Sequence, residues 1–367
     1  MTTTLKVGII GVGGISATHC SGYAKSRLAE VYAMADLDAE ALTLRGSECG
    51  VPVERRFNDY RDMLKLHEID AVSICTPNAL HCRQSIDALR AGKHVLCEKP
   101  MAMNPAEAQR MLDAAEKAGR KLQIGLHNRF RNDAAYLKAL IDAGTLGRIY
   151  YARCLAVRRR GVPSWGVFGQ LDKQGGGAVI DIGVHQIDLT WWLMGKPIPV
   201  SVAGQTYRTI GDQPGHMGMW GPWDHTTYTV EDFACGMVRF DNGATMLIEC
   251  GFNVNLETDR LSSHLVGDKG GAGLGACEKQ GSRPEPLLLQ VEINGHLTDC
   301  LPNDVDALDA RSPLGRLSAH EKQVVAFCRS IVQDVGGAVP GSEAIWTQKI
   351  IHALYRSAQT GREVRIR

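Results

Sequence analysis

Residues 5–16 read LKVGIIGVGGIS, and this stretch decides the fold class of the first part of the chain. Leu5–Ile10 is a short apolar run that predicts a buried strand, and Ile15 to Arg27 predicts a helix. The turn between them contains three glycines, Gly11, Gly13 and Gly14. Such a turn lets backbone N–H groups approach a pyrophosphate, so we predict a dinucleotide site that also includes Ile15.

An acidic residue supports this interpretation. Asp36 ends the second predicted strand, Glu30 to Ala35. A carboxylate there accepts hydrogen bonds from the hydroxyl groups of an adenosine ribose and repels a 2′-phosphate. Leu37 and Asp38 follow it rather than an arginine, so we expect NAD rather than NADP. Ser16 is a departure, because the third position of the glycine fingerprint is usually Gly or Ala.

Strand-like and helix-like segments alternate through the first third of the chain. Further strands are predicted at Ile69 to Cys75, His94 to Cys97 and Leu122 to Gly125. Helices separate them, and one begins after Asn104 with Pro105 at its first position. This alternation is typical of a parallel sheet with helices on both faces. We therefore predict an α/β protein with an NAD-binding Rossmann domain over residues 1–125.

The pattern changes after about residue 126. A long, nearly apolar helix is predicted from Gly177 to Met194, and most of the chain from Pro199 to about Leu301 reads as strands. Two segments in the second half are predicted as loops, Gly270 to Gly281 and Pro302 to Pro313. We predict that residues 126–367 form an α+β domain for substrate binding and oligomerisation. Its sheet is large, open-faced and mostly antiparallel, and its C-terminal helices can pack back on the first domain.

Composition narrows the classes of partner. The 367 residues carry a net charge of +1, which favours neither nucleic acid nor a membrane surface. No apolar run approaches the roughly 20 residues of a membrane span, and the N-terminus does not resemble a signal peptide. The eleven cysteines contain no Cys-x-x-Cys pair, so we expect reduced thiols in a cytoplasmic protein and no metal site.

Two segments carry the residues for acid–base chemistry. Lys99, in Glu98-Lys99-Pro100, follows a predicted strand, and ligands of such sheets bind at the carboxyl ends of strands. The predicted helix Gly177 to Met194 is apolar nearly all round, yet Asp181, His185 and Asp188 fall on one of its faces. Buried ionisable groups either pair or do chemistry, so we interpret His185 as a general base and Asp181 as its partner. A hydrogen-bonded structural triad is the alternative.

These motifs, in this order, resemble the Gfo/Idh/MocA oxidoreductases. The resemblance also includes a glycine run that leads into Asp181-x-Gly183-x-His185 and the closing segment Tyr355 to Gly361. It implies that Lys99, Asp181 and His185 are catalytic. It further implies a set of residues near the cofactor, Thr76, Pro77, Asn78, His81, Glu98 and Lys99. Arg129 is predicted to bind substrate, together with Asp181 and His185.

A narrower resemblance suggests a substrate. Residues 158–168, RRRGVPSWGVF, and the segment Trp223 to Asp232 are similar to the bacterial NAD-dependent glucoside 3-dehydrogenase subgroup, although His225 and Thr226 depart from its pattern. It implies oxidation of the C3 hydroxyl of a glucoside. Trp165 offers a flat face for a sugar ring, and Arg158 offers hydrogen-bond donors. Core packing of the tryptophan and a surface strand for the arginines are equally open.

Three other functions remain compatible with the residues. One is an inositol dehydrogenase, acting on scyllo- or myo-inositol. A second is a glycosidase that recycles tightly bound NAD, and a third is a ligand sensor without chemistry. In each case we expect a small-molecule sugar or cyclitol as ligand. The open-faced sheet has a surface to cover, and the resemblance to the family implies that a homodimer or homotetramer covers it.

Overall fold

The computed structural model describes residues 4–275, 287–302, 305 and 317–366. By its internal contacts the chain divides into two units. Unit 1 contains Met1–Phe130 and Arg316–Ile345, and unit 2 contains Arg131–Gly315 and Trp346–Arg367. The predicted functional division at residues 125 and 126 stays a prediction. Most of the predicted loop 302–313 lies outside the described residues.

Helices occur in both units. Among the described residues they are, in chain order, α1 Gly14–Ser26, α2 Ala39–Glu48, α3 Tyr60–Leu64, α4 Asn78–Arg90, α5 Pro105–Ala118, α6 Asn132–Asp142, α7 Leu171–Gln174, α8 Val184–Leu193, α9 Ala319–Val332 and α10 Gly341–Thr360. A π-helical segment, Val179–Gly183, runs directly into α8. Short 3₁₀ turns form at Val53–Arg55, His127–Phe130 and His225–Thr227. No helix in the described part of the chain is long and apolar enough to cross a membrane.

Unit 1 contains a six-stranded parallel sheet. Its strands are β1 Leu5–Ile10, β2 Ala29–Ala35, β3 Arg56–Phe57, β4 Ala71–Ile74, β5 His94–Cys97 and β6 Leu122–Ile124. The order across the sheet is β3-β2-β1-β4-β5-β6. Strands β2 and β3 are added on one side of β1, and β4 to β6 are added on the other side. Central strands such as β4 are buried along their whole length, as expected of a parallel sheet covered on both faces. The predicted Rossmann fold is confirmed.

Helix α9 belongs to the core of unit 1. It begins with a capping box in which Ser318 and Glu321 bond to each other's backbone N–H groups. Its residues Val324 and Phe327 are fully buried in one cluster with β1 and α1. The contact with α1 is close, because a Cβ atom added to Gly22 would lie 2.7 Å from Val324. The C-terminal part of the chain therefore completes the N-terminal core.

Unit 2 is built on a nine-stranded mixed sheet. Its strands are β7 Ile149–Val157, β8 Pro199–Tyr207, β9 Phe233–Phe240, β10 Thr245–Gly251, β11 Arg260–Gly267, β12 Gly270–Gly275, β13 Leu288–Ile293, β14 His296–Cys300 and β15 Val364–Arg365. The order is β14-β13-β12-β11-β7-β10-β9-β8-β15, and every pair except β7–β10 is antiparallel. The predicted second sheet is confirmed.

One loop prediction in unit 2 is wrong. Gly270–Gly275 forms strand β12, which pairs with β11 on one side and β13 on the other. Glycine is a poor strand former in isolation, but main-chain hydrogen bonds to two neighbours override that preference. The remaining residues of the predicted loop, 276–281, lie outside the described residues.

Candidate functional site

The glycine turn of unit 1 is shaped by a positive backbone angle and by close packing. Gly11 has φ +87°, and a Cβ atom there would lie 2.8 Å from the backbone carbonyl of Cys75. Gly13 and Gly14 are exposed, and a Cβ atom on either would meet nothing within 4 Å. The turn therefore leaves open space over its backbone at the N-terminus of α1, which fits a pyrophosphate group.

Asp36 ties this turn to the end of β2. Its Oδ2 atom accepts a hydrogen bond from the backbone N–H of Val12 at 2.7 Å, and its Oδ1 atom accepts one from Asp38 at 2.9 Å. A carboxylate has about four acceptor positions, so others remain for ribose hydroxyl groups. The half-buried carboxylate thus fits the ribose role predicted from sequence.

The environment of Ser16 explains why a serine is accepted at the third position of the glycine fingerprint. The side chain is fully buried, and its Oγ atom donates to the carbonyl oxygen of Gly13 at 2.6 Å. A small side chain is therefore tolerated at this position because its only polar group is satisfied inside the turn.

His81 joins two loops at the carboxyl edge of the sheet. Its Nδ1 atom lies 2.7 Å from the carbonyl oxygen of Pro100, and its Nε2 atom lies 2.8 Å from that of Thr76. The ring is fully buried, and this burial lowers the pKa of His81. The hydroxyl of Thr76 donates to Gln84 at 2.6 Å, and Asn78 begins α4 with its side chain buried. These contacts hold the loop after β4 against the loop after β5.

Glu98 is held by a buried hydrogen-bond chain. His19 Nε2 donates to Glu98 Oε1 at 2.9 Å, and His19 Nδ1 lies 3.0 Å from Ser73 Oγ, which is also bonded to Tyr23. The backbone N–H of Lys99 donates to Glu98 Oε2 at 3.2 Å. Burial alone would raise the pKa of Glu98, but the His19 hydrogen bond and charge lower it to about 2. An ionised carboxylate therefore fixes the backbone of the candidate catalytic lysine.

Arg129 has a partner within unit 1. Its side chain is buried, and its guanidinium forms an ion pair with Glu343 at 2.6 Å. The residue lies in the 3₁₀ turn His127–Phe130, after β6. This ion pair explains how the charge of a buried arginine is compensated within the protein. The role of Arg129 in substrate binding stays a prediction.

The candidate acid–base residues of unit 2 lie on the predicted buried helix. Asp181 is in the π-helical segment and is buried, and His185 follows in the first turn of α8 and is half-buried. Asp188 is 1% exposed and accepts a hydrogen bond from Thr347 at 3.3 Å. The widened π turn places the backbone irregularity at Asp181, as π-bulges often do at functional sites.

A second carboxylate holds the start of this helix. Glu231 accepts hydrogen bonds from the backbone N–H groups of Gly177 at 2.8 Å and Val179 at 3.0 Å, and from the hydroxyl of Tyr355 at 2.8 Å. Burial raises the pKa of Glu231, and it also raises the pKa of Tyr355. The carboxylate satisfies N–H groups that a helix start leaves without partners in the helix.

Close approach explains the glycines that precede the helix. A Cβ atom on Gly176 would lie 2.1 Å from the Tyr355 hydroxyl, and one on Gly177 would lie 2.1 Å from the backbone oxygen of Glu231. Neither position accepts a larger side chain without movement of the helix start. The glycine run therefore serves to bring the carboxylate and the tyrosine onto the helix.

The arginine run divides between two environments. Arg158 is buried, and its Cζ atom lies 4.6 Å from the centre of the Trp220 ring. Arg159 and Arg160 are instead bonded to residues 255–259: the Arg159 backbone N–H donates to Asp259, and the Arg160 side chain donates to Asn255. Arg158 therefore turns toward an aromatic side chain, whereas Arg159 and Arg160 are bonded to residues 255–259.

Trp165 is on the surface rather than in the core. Its ring is 57% exposed and lies 5.5 Å, centre to centre, from the Trp220 ring. Of the two open interpretations, core packing is excluded for this tryptophan. The structure describes no cluster of His, Cys, Asp and Glu that could hold a metal ion within residues 4–275, 287–302 and 317–366.

Two family models match the chain. The NAD-binding Rossmann-fold model of an oxidoreductase family, Gfo/Idh/MocA, matches residues 5–126, and the Gfo/Idh/MocA C-terminal domain model matches residues 134–272. The chain belongs to this family. It is therefore an oxidoreductase with an NAD-binding Rossmann domain, as the motifs predicted.

Known proteins are similar to this chain over different lengths. D-glucoside 3-dehydrogenase of Escherichia coli (strain K12) is 34% identical over 370 residues, which cover 100% of this chain and 98% of that protein. Myo-inositol 2-dehydrogenase of Thermotoga maritima is 28% identical over 194 residues, 53% of this chain and 56% of that protein. The solved structure of levoglucosan dehydrogenase in complex with NADH has a TM-score of 0.83 at 21% identity and covers 100% of both chains, so it shares the fold.

Several polar residues of this Gfo/Idh/MocA chain were missed by sequence reasoning. His19 and Glu231 each bind a carboxylate or helix start next to a candidate catalytic residue, and Trp220 contacts both Arg158 and Trp165. A buried histidine on α1 is the only signal of the first. Glu231 lies in the segment Trp223 to Asp232, but nothing in that segment indicates its contact with the helix start. Trp220 has no local pattern, because its contacts are with residues distant in the sequence.

Proposed function

We propose that this chain oxidises a secondary hydroxyl group, with C3 as the first candidate, of a glucoside or related sugar to a ketone, using NAD. The observation that carries the proposal is the buried helix start of unit 2, where Glu231 fixes a segment that presents Asp181 and His185. The full-length similarity to a D-glucoside 3-dehydrogenase supports a glucoside as the substrate class.

The proposed acid–base groups have distinct tasks. The Lys99 ammonium group hydrogen-bonds the reacting hydroxyl and stabilises the negative charge that develops on its oxygen. The His185 imidazole takes the hydroxyl proton, and the Asp181 carboxylate orients the imidazole and shares that charge. NAD, when bound, would supply the acceptor for the hydride that leaves the carbon. Loss of any one of these groups should therefore slow the chemical step.

The residues of unit 1 hold the cofactor in this proposal. Backbone N–H groups from Gly13 to Ile15 bind the pyrophosphate, and Asp36 binds the adenosine ribose. Residues 76–78 and Glu98 border the nicotinamide side. His81 supports them by fixing the loop of Thr76 to that of Pro100. The open space over Gly13 and Gly14 supports this assignment.

Two alternatives compete with glucoside oxidation, of which one is a different substrate and the other a different reaction. An inositol is the second candidate, supported by the similarity to myo-inositol 2-dehydrogenase over half of the chain. A glycosidase that recycles bound NAD needs the same acid–base groups. It differs in one measurable respect, because it releases a cleaved sugar without accumulating free NADH.

We further propose a homodimer or homotetramer in the cytoplasm. Alternate residues of β10, Thr245, Leu247 and Glu249, are half-exposed, whereas those between them are buried, so one face of the sheet is partly open. A second copy would cover it. All ten described cysteines are free thiols, which suits a reducing compartment. Light scattering on the purified protein tests the oligomeric state, and a monomer would contradict it.

The test of the function is NADH formation with a small substrate panel. Purified protein and NAD are mixed with glucose, methyl glucosides, a disaccharide, myo-inositol or scyllo-inositol, and NADH absorbance is followed. A rise with glucosides, and none with NADP, is the expected result. A rise with an inositol alone would replace the substrate. Sugar cleavage without free NADH would replace the reaction.

A further inference from the structure

Two tryptophans form an exposed aromatic surface on unit 2. This surface, the tryptophan platform, consists of Trp165 and Trp220, whose ring centres are 5.5 Å apart and whose exposed fractions are 57% and 36%. Met219, beside it in the sequence, is 53% exposed. Large apolar side chains that cluster on a surface mark a binding site more often than isolated ones do.

Hydrogen bonds hold the platform in place. The backbone N–H of Met219 donates to the carbonyl oxygen of Arg160 at 2.8 Å, and the hydroxyl of Ser164 donates to the carbonyl oxygen of Trp220. Farther along the same loop, the indole N–H of Trp223 donates to Gly211 at 2.7 Å. The two loops that carry the tryptophans are therefore bonded to each other, so the rings are preorganised for a ligand.

Arg158 supplies a polar group next to the platform. Its guanidinium lies over the Trp220 ring at 4.6 Å, and the residue is 8% exposed. An arginine keeps its charge at every working pH and donates in a fixed plane. Apolar indole faces beside such a donor match a pyranose ring, which has an apolar C–H face and a rim of hydroxyl groups.

The platform lies beside Arg158, which directly follows β7. The candidate catalytic segment packs on β10, the strand next to β7. Gly183, two residues after Asp181, packs on β10, because a Cβ atom there would lie 2.6 Å from Cys250 Sγ. One residue farther along β10, the carbonyl oxygen of Gly251 accepts the backbone N–H of Arg158 at 2.8 Å. Cys250 pairs with Ala156 of β7, and Arg158 follows Ala156 by two residues, which is roughly 7 Å along an extended chain.

We propose that the tryptophan platform is a subsite for a second sugar ring, the one joined to the oxidised glucosyl unit by the glycosidic bond. The proposal rests on the proposed function, and it narrows the substrate class from simple glucosides to disaccharides with a glucosyl unit. Trp220 and Trp165 stack on the second ring, and Arg158 donates to its hydroxyl groups. These residues determine specificity and take no part in proton transfer.

Matched pairs of substrates test the subsite. Steady-state kinetics compare methyl α-glucoside with maltose, and methyl β-glucoside with cellobiose, in the intact protein and in Trp220→Ala, Trp165→Ala and Trp220→Phe. We expect the alanine variants to raise KM for the disaccharide about tenfold and to leave KM for the methyl glucoside within about twofold. Trp220→Phe keeps a stacking face and should recover most of the disaccharide preference.

Leu297→Ala is the control, because Leu297 is 93% exposed and lies on β14, away from the platform. It should change neither KM. Equal KM increases for both members of a pair, or none for either, would overturn the proposal. So would a change of oligomeric state in Trp220→Ala by light scattering, because the platform would then be covered by a second copy.

A binding measurement separates the subsite from the chemistry. Saturation-transfer NMR with cellobiose or maltose and NAD reports contact with the sugar even when no oxidation occurs. If no glucoside is oxidised but disaccharide binding still depends on Trp220, the subsite stands and the dehydrogenase proposal falls. If glucosides are oxidised but Trp220→Ala binds disaccharides as tightly as the parent protein, the subsite falls and the function stands.

Discussion

Replacing Glu231 with leucine should destabilise unit 2 strongly and lower catalytic activity. The carboxylate accepts three hydrogen bonds, from Gly177, Val179 and Tyr355, and is 8% exposed. Leucine fills similar space but accepts none of them. The two backbone N–H groups and the tyrosine hydroxyl would then be buried without their present acceptor.

The magnitude follows from those three bonds. Hydrogen bonds to a charged group contribute roughly 1.5–3 kcal/mol each, and the burial that raises the pKa of Glu231 offsets part of the total. We therefore expect Glu231→Leu to lower the free energy of unfolding by about 4 kcal/mol. Tyr355→Phe removes one donor and leaves two, so its cost should be about 1–2 kcal/mol.

Urea unfolding followed by tryptophan fluorescence measures these changes. Light scattering checks that each variant has the same oligomeric state as the parent protein. Glu257→Gln is the matched control, because Glu257 is exposed in the loop before β11 with Arg260 as its ion-pair partner, and it should cost less than about 1 kcal/mol. A Glu231→Leu protein as stable as this control would refute the reasoning. In variants that still fold, kcat should fall more than NAD affinity, because the helix start carries Asp181 and His185.

Four further predictions follow from unit 1 and the helix of unit 2. Gly11→Ala should lower the free energy of unfolding by about 2–4 kcal/mol in urea, because φ is +87° and an added Cβ atom would lie 2.8 Å from Cys75. Gly13→Ala should cost less than about 1 kcal/mol but should weaken NAD binding measured by calorimetry. Equal stabilities of the two variants would contradict this contrast. Asp36→Ala should weaken NAD about tenfold and reduce discrimination against NADP, and unchanged cofactor KM values would remove its ribose role. The pKa of Glu98 is lowered from 4.5 to about 2, so its stabilisation is present above pH 4.5 and is lost as pH falls through 2, about 3 kcal/mol in total; acid unfolding of Glu98→Gln should lack that component. Lys99→Ala and His185→Ala should each lower kcat about a hundredfold or more with NAD binding retained, and near-full turnover in either would exclude that residue.

Local sequence was sufficient for the features that neighbouring strands hold together. The turn at Gly11 and the carboxylate of Asp36 lie at the ends of adjacent strands, β1 and β2, so a fingerprint of neighbouring residues could locate them. The buried helix with Asp181 and His185 was also predictable, because an apolar helix with ionisable groups conflicts with simple burial. Its π-helical start was not, because nothing in residues 179–183 distinguishes a widened turn from an α-helix.

Contacts between residues that are far apart in the chain could not be predicted from the sequence. His19 and Glu98 are 79 positions apart, and Glu231 and Tyr355 are 124 positions apart, so no spacing rule connects either pair. The strand Gly270–Gly275 was predicted as a loop for a related reason, since only its two neighbouring strands make it a strand. Trp220 belongs to the same class, because its contact with Arg158 depends on the meeting of two loops.

Label transfer tests the central claim most directly. Methyl glucoside carrying deuterium at C3 is incubated with the purified protein and NAD, and the reduced cofactor and the sugar product are examined by NMR. The account predicts deuterium on the nicotinamide ring of NADH and a 3-keto glucoside in equal amount. NADH without deuterium would move the oxidised carbon away from C3, and the absence of both NADH and keto sugar would contradict the proposed function.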